Sequence, residues 1–139
     1  MRKLSDVILE QRPLVMNATA PVIEAARRMR ERGAGSVVVV DEAGKLCGIF
    51  TGRDAVARVV AEGRDAKTTP IAAVMTRNPA TLSPDESAVD ALRLMWDGGF
   101  RHLPLVRDGK ILGVVSRGDF KGLELDRHDE ERELWEHMR

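Results

Sequence analysis

Apolar and polar positions follow two different rhythms along this chain, and each change of rhythm marks an element. Val22, Ile23, Ala26 and Met29 recur at helical spacing among charged residues, and the same spacing returns at Val89, Leu92, Met95 and Trp96. Two amphipathic helices are predicted, each with one buried stripe. Ser83-Pro84-Asp85-Glu86 has the form of a capping box with proline at the first helical position, and Thr19 with Pro21 is its weaker counterpart. Gly33 and Gly98-Gly99 supply the stops. Runs of branched apolar residues follow each helix: SVVVV at 36–40 and HLPLV at 102–106, then LCGIF and ILGVV after the turns DEAGK and RDGK. Each pair is a predicted hairpin. Beyond Asp54, the valines 56, 59 and 60 with a closing Gly63 predict a further helix, and Lys67 to Pro70 read as a loop.

These elements are two copies of one unit. A slide of 66 residues lays 13–29 on 79–95, with Pro13 on Pro79, Ala25 on Ala91, Arg27 on Arg93 and Met29 on Met95. After a second turn one residue shorter, GIFTGRD at 48–54 falls on GVVSRGD at 113–119. Residues 1–70 form the first unit with an N-terminal segment and 71–122 the second. The stretch 123–139 is a charged tail, predicted helical, with Leu134, Trp135 and Met138 as a narrow apolar seam. It reads either as a solvated helix or as one that docks on a partner. The order strand, helix, strand, strand, helix makes an α+β fold whose sheet has one face for helices to cover. Units of about 60 residues hold a core poorly alone, so the two are expected to pack sheet to sheet.

Composition narrows the function. Lysine plus arginine equals aspartate plus glutamate at 22 each, and aromatics are few (no Tyr, three Phe, two Trp), which leaves no overall field and little stacking material and so weakens a nucleic-acid reading without excluding a local patch. Arg27, Arg28, Arg30 and Arg32 spread around a helix and read as a solvated face. No apolar run approaches the length of a membrane helix, and Ser5, Asp6, Glu10 and Gln11 interrupt any signal peptide. The lone Cys47 fits a reducing cytoplasm, and between Leu46 and Gly48 it reads as a small buried apolar residue. GAGS at 33–36 lacks the third glycine of a dinucleotide fingerprint and precedes a strand, and AGK lacks the rest of a P-loop. His128 and His137 have no cysteine near them, so no metal site is assigned, and no catalytic set can be argued from spacing.

What remains is the doubled hydroxyl-x-x-aspartate. An ionised aspartate can accept both hydroxyls of a ribose, and a Thr or Ser three residues earlier lies on the same side of a helix's first turn, able to donate to a phosphate. The amides of that turn also point toward an anion. The competing reading is N-capping, which uses the same residues at the same spacing.

The whole pattern resembles a pair of CBS domains, also called a Bateman module, over about residues 5 to 122. The marks are GIFTGRD and GVVSRGD, VMT at 74–76 and RHLPLV at 101–106. The resemblance implies two units related by a pseudo-twofold, clefts for AMP, ADP, ATP, NAD(H) or S-adenosylmethionine, a homodimer, and regulation of a separate target protein rather than catalysis. Carried over residue by residue, it implies that Thr51, Arg53 and Asp54 act with Ala80, Thr81, Phe100, Arg101 and His102. Ser116, Arg117 and Asp119 act with Leu14, Val15, Ala34, Gly35 and Ser36. Arg101 and His102 lead to the expectation that the Asp54 site takes a phosphorylated ligand more tightly than the Asp119 site. Two alternatives stay open: a dimeric interaction or stress-response protein with degenerate pockets, and a nucleic-acid binder.

Overall fold

The computed structural model describes residues 2–8 and 11–120. The chain divides into two compact units: one holds Arg12–Ala80 with Asp108–Ile111, and the other holds the segment up to Gln11, Thr81–Arg107 and the chain from Leu112 on. The second helix expected after Asp119 and the charged tail lie outside the described residues.

In the first unit, strands β1 (Val15–Asn17), β2 (Ser36–Val40), β3 (Leu46–Thr51) and β4 (Thr76–Arg77) form one sheet in that order. β1 pairs with β2 in parallel, because helix α2 (Val22–Arg32) carries the chain back between them, whereas β2–β3 and β3–β4 are antiparallel. Strand β4 was not predicted: a two-residue strand carries no periodicity, and its place is set by pairing of Ile49 with Thr76 and Gly48 with Arg77. Glycine at 48 is required there, since a Cβ would meet the Met75 side chain and come within 3.0 Å of the Thr76 carbonyl.

Helix α2 starts at Pro21, with no side-chain cap. Two of its first amides are satisfied by the loop alongside instead: Val22 donates to the Thr69 carbonyl and Ile23 to that of Ala66, each at 2.9 Å. Thr19 takes no part and is tied to Asn17. The helix ends, as expected, on left-handed Gly33. Its buried stripe is Val22, Ala25 and Met29, with Ala26 exposed, and it covers Met16, Val37, Val39 and Phe50 of the sheet.

In the second repeat, β5 (His102–Arg107) and β6 (Lys110–Ser116) make the predicted hairpin, turned by Asp108 and Gly109, both at positive φ. The counterpart of β1 shrinks to a single parallel bridge, Leu82 to Leu105. Helix α4 (Ala88–Gly98) begins four residues later than the sequence suggested. Ser87 and Asp90 form the capping box, while Ser83 and Asp85 close a turn ahead of it. Partial burial alone would raise the Asp90 carboxyl, but hydrogen bonds from Ser87 and the nearby Arg93 guanidinium hold it below the usual carboxylate range. Ala88, Val89, Ala91, Leu92 and Met95 are buried, whereas Trp96 is 46% exposed, outside the stripe assigned to it.

The N-terminal segment belongs to this second unit. Helix α1 (Leu4–Val7) sets Leu4, with Ile8 just beyond, into the core of Leu92, Met95, Leu103, Leu105 and Val115. Backbone bonds from Leu4 to the Glu86 carbonyl and from Ala88 to that of Arg2 fix it, and the Gln11 side chain accepts the Val114 amide.

Candidate functional site

Each GIF/GVV heptapeptide ends a strand and turns the chain by the same device. In the first, Thr51 is extended and the backbone turns helical at Gly52. The Thr51 amide and hydroxyl donate to Asp54 Oδ2 at 3.0 and 3.2 Å, and the Asp54 amide returns a bond to Thr51 Oγ1 at 3.3 Å. In the second, the Ser116 amide donates to Asp119 Oδ2 at 2.8 Å at the start of a single 3₁₀ turn, Arg117–Asp119. The hydroxyl and carboxylate expected to act together are therefore adjacent in the first repeat, held there by a capping box.

The two carboxylates sit in different surroundings. Asp54 is only 7% exposed. Its Oδ1 accepts from the Thr76 hydroxyl at 3.4 Å and lies 3.7 Å from Arg58 Nε, so each carboxylate oxygen has two polar neighbours. Asp119 is exposed, and the guanidinium of Arg2 donates to its backbone carbonyl at 3.0 Å. Sequence reasoning missed Arg58, Thr76 and Arg2. The spacing of Arg58 from Asp54 was the available signal, but Thr76 and Arg2 reach the site only through tertiary pairing.

The chain after Asp54 also departs from the expected helix. Helix α3 is α-helical over Gly52–Asp54 and π-helical over Ala55–Val60, where bonds close from i to i+5, as from the Ala61 amide to the Val56 carbonyl. A wider turn brings residue i+4 nearly above residue i. Val59 is then buried below Ala55, while Val56 and Val60 share an outer face at 65% and 74% exposure, so the predicted valine stripe is split.

Other expected site residues group within the units. Ser36 pairs with Thr51 across β2–β3, and the Gly35 carbonyl accepts the Gly52 amide at 3.3 Å, so both stand beside the first turn. Ser36 is buried, Ala34 half-buried, and Gly35 and Arg53 exposed. Leu14 is a core residue whose carbonyl binds the Val38 amide, and Val15 is exposed on β1. In the second unit, the Arg101 carbonyl accepts the Arg117 amide at 3.0 Å, next to Phe100 and half-buried His102. Ala80 and Thr81 are exposed. The Cys47 thiol donates to the Val39 carbonyl, and burial, then the Asp41 charge, pushes its pKa up. A thiol so held is a weak nucleophile. Among the described residues, no group of three or more His, Cys, Asp or Glu is placed to hold a metal ion, and no helix is long and apolar enough to cross a membrane.

Comparison with known proteins agrees with this architecture. A 17.7 kDa protein of Acidianus ambivalens is 37% identical over 115 residues, covering 82% of this chain and 68% of its own. A CBS domain-containing protein of Arabidopsis thaliana is 39% identical over 103 residues, 74% of this chain but only 19% of the plant protein, so the chain spans about a fifth of that relative. Among solved structures, a CBS-domain containing protein from Agrobacterium tumefaciens superposes with a TM-score of 0.76 at 28% identity, covering 84% of this chain and 94% of that one. The CBS domain pair of protein MJ0100, in complex with 5′-methylthioadenosine and S-adenosyl-L-methionine, gives 0.76 at 27% identity over 85% and 95%. Residues 4–61 and 71–125 both match the CBS domain model, and with the repeated sheet, helix and capping turn they make this chain a tandem pair of CBS domains, a member of the CBS domain family.

Proposed function

We propose that this chain is a regulatory module that binds an adenosyl compound at its two hydroxyl-x-x-aspartate turns and acts on a separate partner protein. The observation that carries the reading is the capping turn repeated in both units, which holds an aspartate carboxylate at the end of a strand beside a threonine or serine. A carboxylate in that position accepts ribose hydroxyls through charge-assisted bonds. The 27%-identical CBS pair in complex with 5′-methylthioadenosine and S-adenosyl-L-methionine supports the ligand class. Thr51 with Asp54 and Ser116 with Asp119 are the proposed ligand contacts, flanked by Arg53 and Arg117. AMP, ADP, ATP and NAD(H) belong to the same adenosyl class, and Arg101, whose carbonyl accepts the Arg117 amide, stands with His102 beside the Ser116–Asp119 turn. The reading assigns the chain no catalytic step and places it in the cytoplasm as a homodimer, with the exposed Val56 and Val60 as apolar surface for a second copy.

A thermal-shift panel of S-adenosylmethionine, 5′-methylthioadenosine, AMP, ADP, ATP and NADH tests it. A true ligand at a hundredfold excess over its Kd adds about 2.7 kcal/mol, which raises Tm by several degrees. The second reading, a partner-binding dimer without ligand, is favoured by the engagement of Asp54 inside the protein, and it predicts no shift from any of the six.

A further inference from the structure

Arg58 stands four residues after Asp54, on the π-helical turn that brings such pairs into line. Its Nη1 donates to the Met75 carbonyl at 2.8 Å and to the Val74 carbonyl at 3.3 Å, while its Nε faces Asp54 Oδ1 at 3.7 Å. We infer that Arg58 is a positioning residue for Asp54, which ties the carboxylate to the segment Val74–Thr76 so that a ligand held by Asp54 is felt where the chain leaves the first repeat. The inference rests on the ligand reading above.

Three observations carry it. The first is the burial of the Asp54 carboxylate, for a charge taken out of water needs fixed polar partners or an opposite charge close by. Thr51 supplies donors to one oxygen, and Thr76 and Arg58 face the other. The second is the anchoring of Arg58 itself. A half-exposed ion pair at 3.7 Å contributes little when its cation is free to wander. Here two carbonyls hold one end of a rigid planar guanidinium, which fixes the direction of its Nε. The third is the asymmetry of the repeat: the register that puts Asp119 on Asp54 puts Leu123 on Arg58, and Asp119 itself is exposed. The arrangement thus belongs to the first repeat's aspartate. It also reaches β4, because Thr76 bonds Asp54 through its side chain and pairs with Ile49 through its backbone.

The test uses the full chain and calorimetric titration with S-adenosylmethionine. Arg58→Met, which keeps the aliphatic stem, is expected to weaken binding about 5- to 30-fold, the coupling of two charged groups in contact, and Arg58→Lys to recover part of it. In an Asp54→Asn background Arg58→Met should have no further effect, since a residue that acts through another is silent once that other is gone. Hydrogen exchange supplies a second readout: S-adenosylmethionine should slow the amides of 74–76 in the unsubstituted chain and in Arg58→Lys, but not in Arg58→Met. Affinity within twofold of the unsubstituted chain for Arg58→Met, or an equal loss in both backgrounds, overturns the positioning role alone. No S-adenosylmethionine binding by the unsubstituted chain, or none lost in Asp54→Asn, overturns the reading of Asp54 as a contact for this ligand and the positioning role with it.

Discussion

Replacing each aspartate of the repeated turn by alanine should have unequal effects on stability, although the two sequences look alike. Asp54→Ala removes the acceptor of the Thr51 amide and hydroxyl, the acceptor of the Thr76 hydroxyl, and the anion beside Arg58. Asp54 is buried and Thr51 half-buried, so the Thr51 amide is only partly rehydrated in exchange. Loss of an N-terminal cap costs about 1 kcal/mol, and a buried donor left unsatisfied about 1–3 kcal/mol. Relief of the aspartate's own desolvation offsets part of this, and the net expectation is about 2–3 kcal/mol. Asp119→Ala removes the acceptor of the Ser116 amide, at an exposed turn that water can refill. About 0.5–1 kcal/mol is expected there, the low end of the capping range. Urea unfolding followed by circular dichroism measures both, read from midpoints at unchanged m. Equal losses, or a larger one for Asp119→Ala, would refute the claim that Asp54 is embedded in a network that Asp119 lacks.

Further predictions concern the elements around the site. Val59→Ala should lower stability by about 1.5–3 kcal/mol, while Val56→Ala and Val60→Ala stay within about 0.5 kcal/mol, as the widened turn requires and a regular α-helical stripe would not; thermal melts of the three separate the cases. Gly48→Ala should cost about 1–3 kcal/mol by forcing Met75 and β4 off β3, detectable as a lower Tm and faster exchange of the Thr76 amide. The Asp90 carboxyl, held below its ordinary value when folded, contributes stability that is present above its unfolded pKa of about 3.9 and is lost as pH falls through the lower folded value. Ser87→Ala should therefore flatten the acid limb of a stability–pH curve and cost about 1 kcal/mol at neutral pH, whereas an unchanged acid limb would contradict the capping-box assignment.

How much of this was legible beforehand follows the range of the interactions. The repeat, β2, β3, the β5–β6 hairpin and both helix stops were readable, because SVVVV, RDGK, Gly33 and Gly99 carry their preferences within a few residues. Start signals were less secure. Ser83 and Ser87 both sit before an acidic residue, and Leu4, whose amide bonds the Glu86 carbonyl, packs only if the helix begins at the later one. The π turn after Asp54 and strand β4 could not be read, since i→i+5 closure and a two-residue pairing leave no period in sequence. For the same reason the joining of residues 2–8 to the second repeat was hidden: it depends on Leu4 and Ile8 meeting Leu92 and Leu103, far along the chain. At the candidate site, Thr51 and Asp54 were found by spacing, whereas Thr76 reaches Asp54 through the β3–β4 pairing alone.

The most direct measurement is calorimetric titration of S-adenosylmethionine into the unsubstituted chain and into the Asp54→Asn/Asp119→Asn double variant. Saturable binding by the first, weakened about 10- to 100-fold in the second because each ligand loses a charge-assisted partner worth about 1.5–3 kcal/mol, is the predicted result. Binding of equal strength in a folded double variant would contradict the account, because the repeated aspartates would then be helix caps and nothing more.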